Sequence, residues 1–460
     1  MDGAEEPHLR VYANRSELHR PGFPPIVFHE GLQSDEARQN YVRLVAALRG
    51  RFLENEISMC ESQGPASRDQ LDRGDRALIE RIAASATSQY GRAVIGLCVL
   101  QLTVKAIVPA QTIRLHKSST RKGTFSWRDG LPMRVLDADY ITPALRAHGI
   151  LRLNADGVFM TRTLAENYPY SQVYKAEVRG ARKDWLALVE KLEDGRIPPL
   201  HALRYLLLGL KRRWKDLQVL GDQATEAIVK EAGEAPFDKA SASAVIQSHI
   251  SSVPSAARLL EVAMHALMQA VAESGALEGL SLKPLSQMRS ANKKHGNVGD
   301  VELMAGPEIV EAWDGKLATT SFMAELEELR DKLLAETEAG GIQHPGLTRA
   351  GFVTTAQPER GGQLEAQLAD IEDETGVKVF VLTWDEWVSE QFSRSVQAGA
   401  DPDQLANAWL VAYVETLALR RHGQAPIDEP PEEWLRSLLK LLEARARARD
   451  AAQTSLAKFG

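Results

Sequence analysis

The sequence predicts an α/β core, a mixed sheet flanked by helices, set between a largely helical N-terminal region and a helical C-terminal tail. Three observations carry this expectation. Gly299 to Leu303 (GDVEL) alternates polar and apolar residues, placing Val301 and Leu303 opposite Asp300 and Glu302, the period of a half-buried strand. Ile309 to Trp313 (IVEAW) reads as a second strand, and Gly306-Pro307 between the two supplies a turn. Lys378 to Trp384 (KVFVLTW) is a continuous apolar run of the kind found in buried strands.

The elements around these runs follow in order. Ala256 to Glu273 (AARLLEVAMHALMQAVAE) is a strong helix ahead of the first strand. After Lys316, Thr319 or Thr320 is positioned to cap a helix in which Phe322, Leu326, Leu329 and Leu333 repeat at helical spacing, and Gly340-Gly341 ends it. GFVTT, starting at Gly351, is a short strand; Gln363 to Glu374 is an amphipathic helix with Leu364, Leu368 and Ile371 as its stripe. The order helix, strand, strand, helix, strand, helix, strand implies a layered α/β unit. Gly233 to Ser243 (GEAPFDKASAS) has linker chemistry, so the expected division is 1–235, a core at 244–390, and a helical extension at 391–460. Pro430-Pro431 and the acids after them open the last helix, and this tail either packs on the core or forms a homodimer surface.

At 460 residues the chain is too long for one ordinary core, and an apolar fraction of 44% fits a globular protein. No segment stands out as apolar over a bilayer's width, and the start MDGAEEPHLR is unlike a signal peptide. Cys60 and Cys98 are too few for a disulfide framework or a cysteine-built zinc site. These features point to a cytoplasmic protein. Neither a P-loop nor a dinucleotide fingerprint is present.

The chemistry-bearing segment lies at the two predicted strands. Asp300 opens one, and Asp314-Gly315-Lys316 closes the other. Side chains two apart in a strand point the same way, so Asp314 and Lys316 share a side, and a hairpin brings Asp300 beside them. Two carboxylates supply oxygen ligands for a hard cation such as Mg²⁺, which can activate water and neutralise a phosphate; the lysine is a compact positive charge for the same oxygens. Lys316 is the only lysine in the chain with an acid two residues before it. Glu302 is a fallback ligand whose simpler role is a solvated ion pair. Lys293, Lys294 and His295 precede the first acid, where the two lysines can touch a scissile phosphate. His295 has nothing at ligand spacing beside it.

This order of elements, with GDVEL and IVEAWDGK, resembles the PD-(D/E)xK nuclease core. The resemblance makes Asp300 the first acid, Asp314 the second and Lys316 the lysine, and places Glu261 where many such nucleases carry an extra acid. The usual proline before the first acid is Gly299 here, and the second acid is Asp rather than the commoner Glu. A second segment, Ser118 to Gly149 (SSTRKGTFSWRDGLPMRVLDADYITPALRAHG), is similar to a segment of type II restriction endonucleases of the SacI-like group. The two segments cover about a third of the chain. The resemblance implies a Mg²⁺-dependent endonuclease cutting duplex DNA at a specific sequence, with a cognate DNA methyltransferase as a separate protein. The alternatives are a repair or other defence nuclease with the same core, or a non-catalytic DNA-binding or assembly protein.

A formal net charge of −7 argues mildly against a DNA partner, because phosphate contacts need Lys and Arg. The charge is segregated, however. Arg114, Lys117, Arg121, Lys122, Arg128 and Arg134 cluster with Phe125 and Trp127 in a segment without helical or strand period, the expected DNA contact. Lys211, Arg212, Arg213 and Lys215 instead fall on a helix, where a solvated face is the commoner meaning.

Overall fold

The computed structural model describes residues 6–62, 70–151, 153, 156–253, 256–285, 297–335, 344–419 and 431–456. The chain forms two compact units, Met1–Asp216 and Leu217–Gly460. The division falls upstream of the expected boundary near 235. Residues 235–238 are a short turn between two helices, with Phe237 fully buried in it.

The first unit opens on an antiparallel sheet that the sequence did not reveal: β1 (His8–Val11), β2 (Arg15–Arg20) and β3 (Phe23–His29), in that order. Its apolar signal is thin, since Leu18, Ile26 and Phe28 do most of the packing, against Leu115 and Trp127. Helices α1 (Asp35–Arg49), α2 (Phe52–Ser62), α3 (Arg73–Ala84), α4 (Gln89–Ile107), α5 (Met133–Leu136), α6 (Thr142–Ala147), α7 (Arg182–Glu193) and α8 (Pro199–Glu234) follow, the last running past Asp216 into the second unit. The stretch Tyr90–Ile107 of α4 is, contrary to expectation, long and apolar enough to cross a membrane. It is instead the central helix of this unit, 83% buried. Gln101, fully buried on α4, is satisfied by the Ile113 carbonyl and the Trp185 indole N–H.

The basic segment does not behave as one surface. Arg114 is fully buried: its guanidinium donates to both oxygens of Glu190 at 2.9 and 2.7 Å and to the Tyr170 carbonyl at 2.7 Å. The expectation that Arg114 contacts DNA is corrected by this interior ion pair. Residues 117–128 instead form a finger. Trp127 N–H donates to the Lys117 carbonyl, Ser119 N–H to the Ser126 hydroxyl, and Glu30 pairs with Trp127. Trp127 is buried as its anchor, while Lys117, Arg121, Lys122 and Arg128 are exposed. Lys117 donates to Asn167, and Arg134, outside the finger on α5, donates to the Phe159 carbonyl. On α8, Arg212 and Lys215 are exposed and Lys211 and Arg213 half-buried.

The second unit is a layered α/β structure. After α9 (Lys239–Ser252) and α10 (Ala256–Glu273) come β4 (Ser281–Leu282), β5 (Val301–Ala305), β6 (Glu308–Lys316), α11 (Met323–Leu334), β7 (Arg349–Thr354), α12 (Gly362–Thr375), β8 (Lys378–Thr383), α13 (Trp384–Gln397), α14 (Pro402–Leu417) and α15 (Pro431–Leu456). The five strands lie in the order β4-β5-β6-β7-β8; the first pairs are antiparallel and β6-β7-β8 parallel. One face packs Ala312, Ala350, Phe352, Val379 and Val381 against Leu326, Leu329 and Leu333 of α11 and Leu364 and Ile371 of α12. On the other, Trp313 meets Trp387 of α13, and α10 lies over Gly315.

The predicted order of elements holds, with β4 added. α11 begins at Met323 and is not capped by Thr319 or Thr320. The Thr319 and Thr320 carbonyls instead accept from Thr354 and Glu359. Gly340 and Gly341 lie outside the described residues. The C-terminal helices are integral to this unit: Trp409 of α14 donates to the Ala263 carbonyl of α10, and His249 sits 2.9 Å from both the Tyr413 hydroxyl and the Trp434 carbonyl.

Candidate active site

The expected hairpin forms, with Gly306 at φ +59° in its turn. Val301 pairs with Trp313, so Asp300, just before β5, stands opposite Asp314; its N–H donates to the Trp313 carbonyl at 2.8 Å. Asp314 and Lys316 end β6 on one side of it, and Lys316 Nζ lies 2.9 Å from Asp314 Oδ2. Gly315 fits the strand because Leu260 and Met264 of α10 press on it, and its N–H donates to Asp300 Oδ2 at 3.0 Å. Gly299 is explained the same way. A Cβ there would stand 2.6 Å from the Trp313 carbonyl oxygen, and a proline would also lose the N–H given to Glu302.

These residues share one cleft of about 220 Å³, lined by Glu261, Asp300, Asp314, Lys316, Glu325 and Glu328 among others. Glu261 is not a helix-surface acid: it is 6% exposed and ion-paired with Arg258. Glu325, Glu328 and Lys332 form a wall that the sequence reading missed, although their spacing along α11 marks a single helical stripe. Glu328 pairs with Lys332 at 2.9 Å, which holds its carboxyl below the usual range. Glu302 lies outside the cleft lining. Its carboxylate is 3% exposed and paired with Lys283, so the expectation of a solvated ion pair is corrected. Lys293, Lys294 and His295 lie outside the described residues.

Burial, with carboxylate crowding second, sets the electrostatics of the cleft. Burial, then the Glu261 and Asp314 carboxylates, push the Asp300 carboxyl well above its ordinary value. Glu261 is likewise raised by burial, although Arg258 opposes this. Burial would lower the Lys316 ammonium, but Asp314 and Asp300 outweigh it and hold the group above its ordinary value, hence charged at neutral pH. Such a donor set, all oxygen and short of positive charge, fits a hard divalent cation. Among the described residues no three His, Cys, Asp or Glu side chains form a ready-made metal cage. Asp300 and Asp314 fit a two-carboxylate site, with water completing the shell as Mg²⁺ prefers.

The sign of the Asp300 shift gives a test. A carboxyl raised on folding contributes stability below its unfolded pKa and loses it as pH rises through the folded value. In chelator, Asp300→Asn is expected to raise Tm, by more at pH 8 than at pH 5. A lower Tm than wild type at both pH values would refute the raised Asp300 carboxyl. No protein-family model matches the chain, and no curated protein matches it in sequence.

Proposed function

We propose that this chain is a Mg²⁺-dependent endonuclease of the PD-(D/E)xK type, hydrolysing phosphodiester bonds of duplex DNA at a specific sequence as type II restriction enzymes do, in the cytoplasm. The observation that carries the reading is the meeting of Asp300, Asp314 and Lys316 in one cleft at the C-terminal ends of parallel strands, where open α/β sheets bind ligands. Asp300 and Asp314 would hold the cation, which supplies Lewis acidity and a more acidic water. Lys316, kept charged, serves as a phosphate clamp and stabiliser of developing negative charge rather than as the base. Glu261, held by Arg258, supports the same cluster from α10. The exposed finger carrying Lys117, Arg121, Lys122 and Arg128 is the proposed DNA-contacting surface, and a separate methyltransferase would protect host sites.

One observation favours a second reading, a non-catalytic DNA-binding or assembly protein: Lys316 and Arg258 already neutralise Asp314 and Glu261 within the fold. A cleavage assay separates the two. Duplex DNA is expected to be cut with Mg²⁺ or Mn²⁺ and left intact in chelator. Ca²⁺ should support binding with little cutting, because its looser shell misplaces the water. Full cutting in excess chelator would exclude the two-carboxylate site; no cutting of any duplex with either metal would favour the binder.

A further inference from the structure

We propose that Glu302 is a positioning residue, a buried clamp that fixes the backbone on which Asp300 is carried. The inference rests on the reading of Asp300 as a cation ligand. Glu302 lies in β5 between Ala312 of β6 and Lys283, whose N–H donates to the Glu302 carbonyl at 2.9 Å. Strand alternation puts its side chain on the Asp300 face, which suggests a ligand. Its carboxylate turns elsewhere. Oε1 accepts from the N–H groups of Val298 at 2.5 Å and Gly299 at 3.2 Å, the two residues before Asp300. Oε2 accepts from Lys283 Nζ, which also donates to Asn297 Oδ1 at 2.7 Å. Residues 297 to 299 are therefore all tied to one Glu302–Lys283 pair.

The turn has no slack on its other side, because Gly299 sits against the Trp313 carbonyl with no room for a Cβ. Asp300 is then bonded to β6 through its own N–H and through Oδ2. A carboxylate accepting backbone N–H groups makes charge-assisted bonds, and a buried one orients what it holds much as outer-shell groups orient metal ligands. Glutamine has the same shape but places an N–H₂ against either Lys283 or the two backbone donors. The turn must then shift, and Asp300 with it.

The test is a Mn²⁺ titration by calorimetry on the full chain, with thermal unfolding followed in parallel. Glu302→Gln is expected to weaken Mn²⁺ binding by about tenfold, the lower end for outer-shell changes. Glu311→Gln is the control. Glu311 is also buried in this sheet, bonded to the Trp313 indole and Arg394, but holds no part of the 297–300 turn. It should lower stability and leave Mn²⁺ affinity within about twofold of wild type. Lys283→Met loosens the clamp from its more exposed side while the carboxylate keeps its backbone bonds, and should weaken Mn²⁺ binding several-fold even if Glu302→Gln does not fold. Wild-type affinity in every folded clamp variant, with binding lost in Asp300→Asn, overturns the clamp and leaves the cation site standing. Undiminished binding in Asp300→Asn, or none in wild type, overturns both.

Discussion

Lys316→Ala is expected to slow DNA cleavage by about 10²–10³-fold, the usual loss when one group stabilising transition-state charge is removed. Asp300→Asn and Asp314→Asn should each abolish it, since each removes half of a two-carboxylate cation site. Glu261→Gln should cost less, because its carboxylate is already engaged by Arg258. DNA binding and folding should survive in all four: the side chains sit in a cleft and not in the apolar layer beneath it. Lys316→Ala also frees Asp314 from a 2.9 Å ammonium partner that would compete with the cation, so its defect should persist at saturating Mg²⁺ and be no deeper at low Mg²⁺. The measurement is single-turnover cleavage of a cognate duplex across Mg²⁺ concentrations. Near wild-type cutting by both Lys316→Ala and Asp300→Asn would move the site elsewhere.

The sheet that carries these residues was legible because its strands obey simple periods. Asp300, Asp314 and Lys316 were placed together by alternation and one turn, and the structure brings them together. What failed to show has physical causes. Glu302 is expected at a surface if β5 has a wet face, but β5 is covered on both sides, so its acid had to be paired. Glu325, Glu328 and Lys332 form the polar face of an amphipathic helix, and sequence alone does not say whether such a face meets solvent or a cleft. The all-round apolar surface of α4 satisfies a membrane helix and a central core helix equally. The division at Asp216 falls inside a continuous helix, where neither Gly nor Pro marks it.

Arg114 and Arg121, seven residues apart in one basic run, should respond oppositely to the same substitution. Arg114→Ala is expected to destabilise the first unit by about 3–5 kcal/mol, the cost of breaking a buried ion pair from one side. It leaves Glu190 at 4% exposure with Arg20 as its one charged partner among the described residues, and deprives the Tyr170 carbonyl of the Arg114 donor. For a unit of this size that loss lowers Tm by about 10 °C. Arg121→Ala and Arg128→Ala remove exposed charges from a finger held by Trp127 and backbone bonds, so Tm should barely move. If these arginines read bases, each loss should cost about 1–3 kcal/mol of binding at the cognate site and little elsewhere. Lys117→Ala and Lys122→Ala, as phosphate contacts, should weaken binding to all duplexes and lower the salt slope by about one apiece. Binding to cognate and random duplexes across a salt series, in a Lys316→Ala background that cuts slowly, separates these effects. Arg212→Ala and Arg213→Ala serve as controls on α8. Should they weaken binding more than the finger variants do, the helix around them is the DNA-contacting element; should Arg114→Ala keep its Tm and lose DNA binding, its interior ion pair is not what holds it.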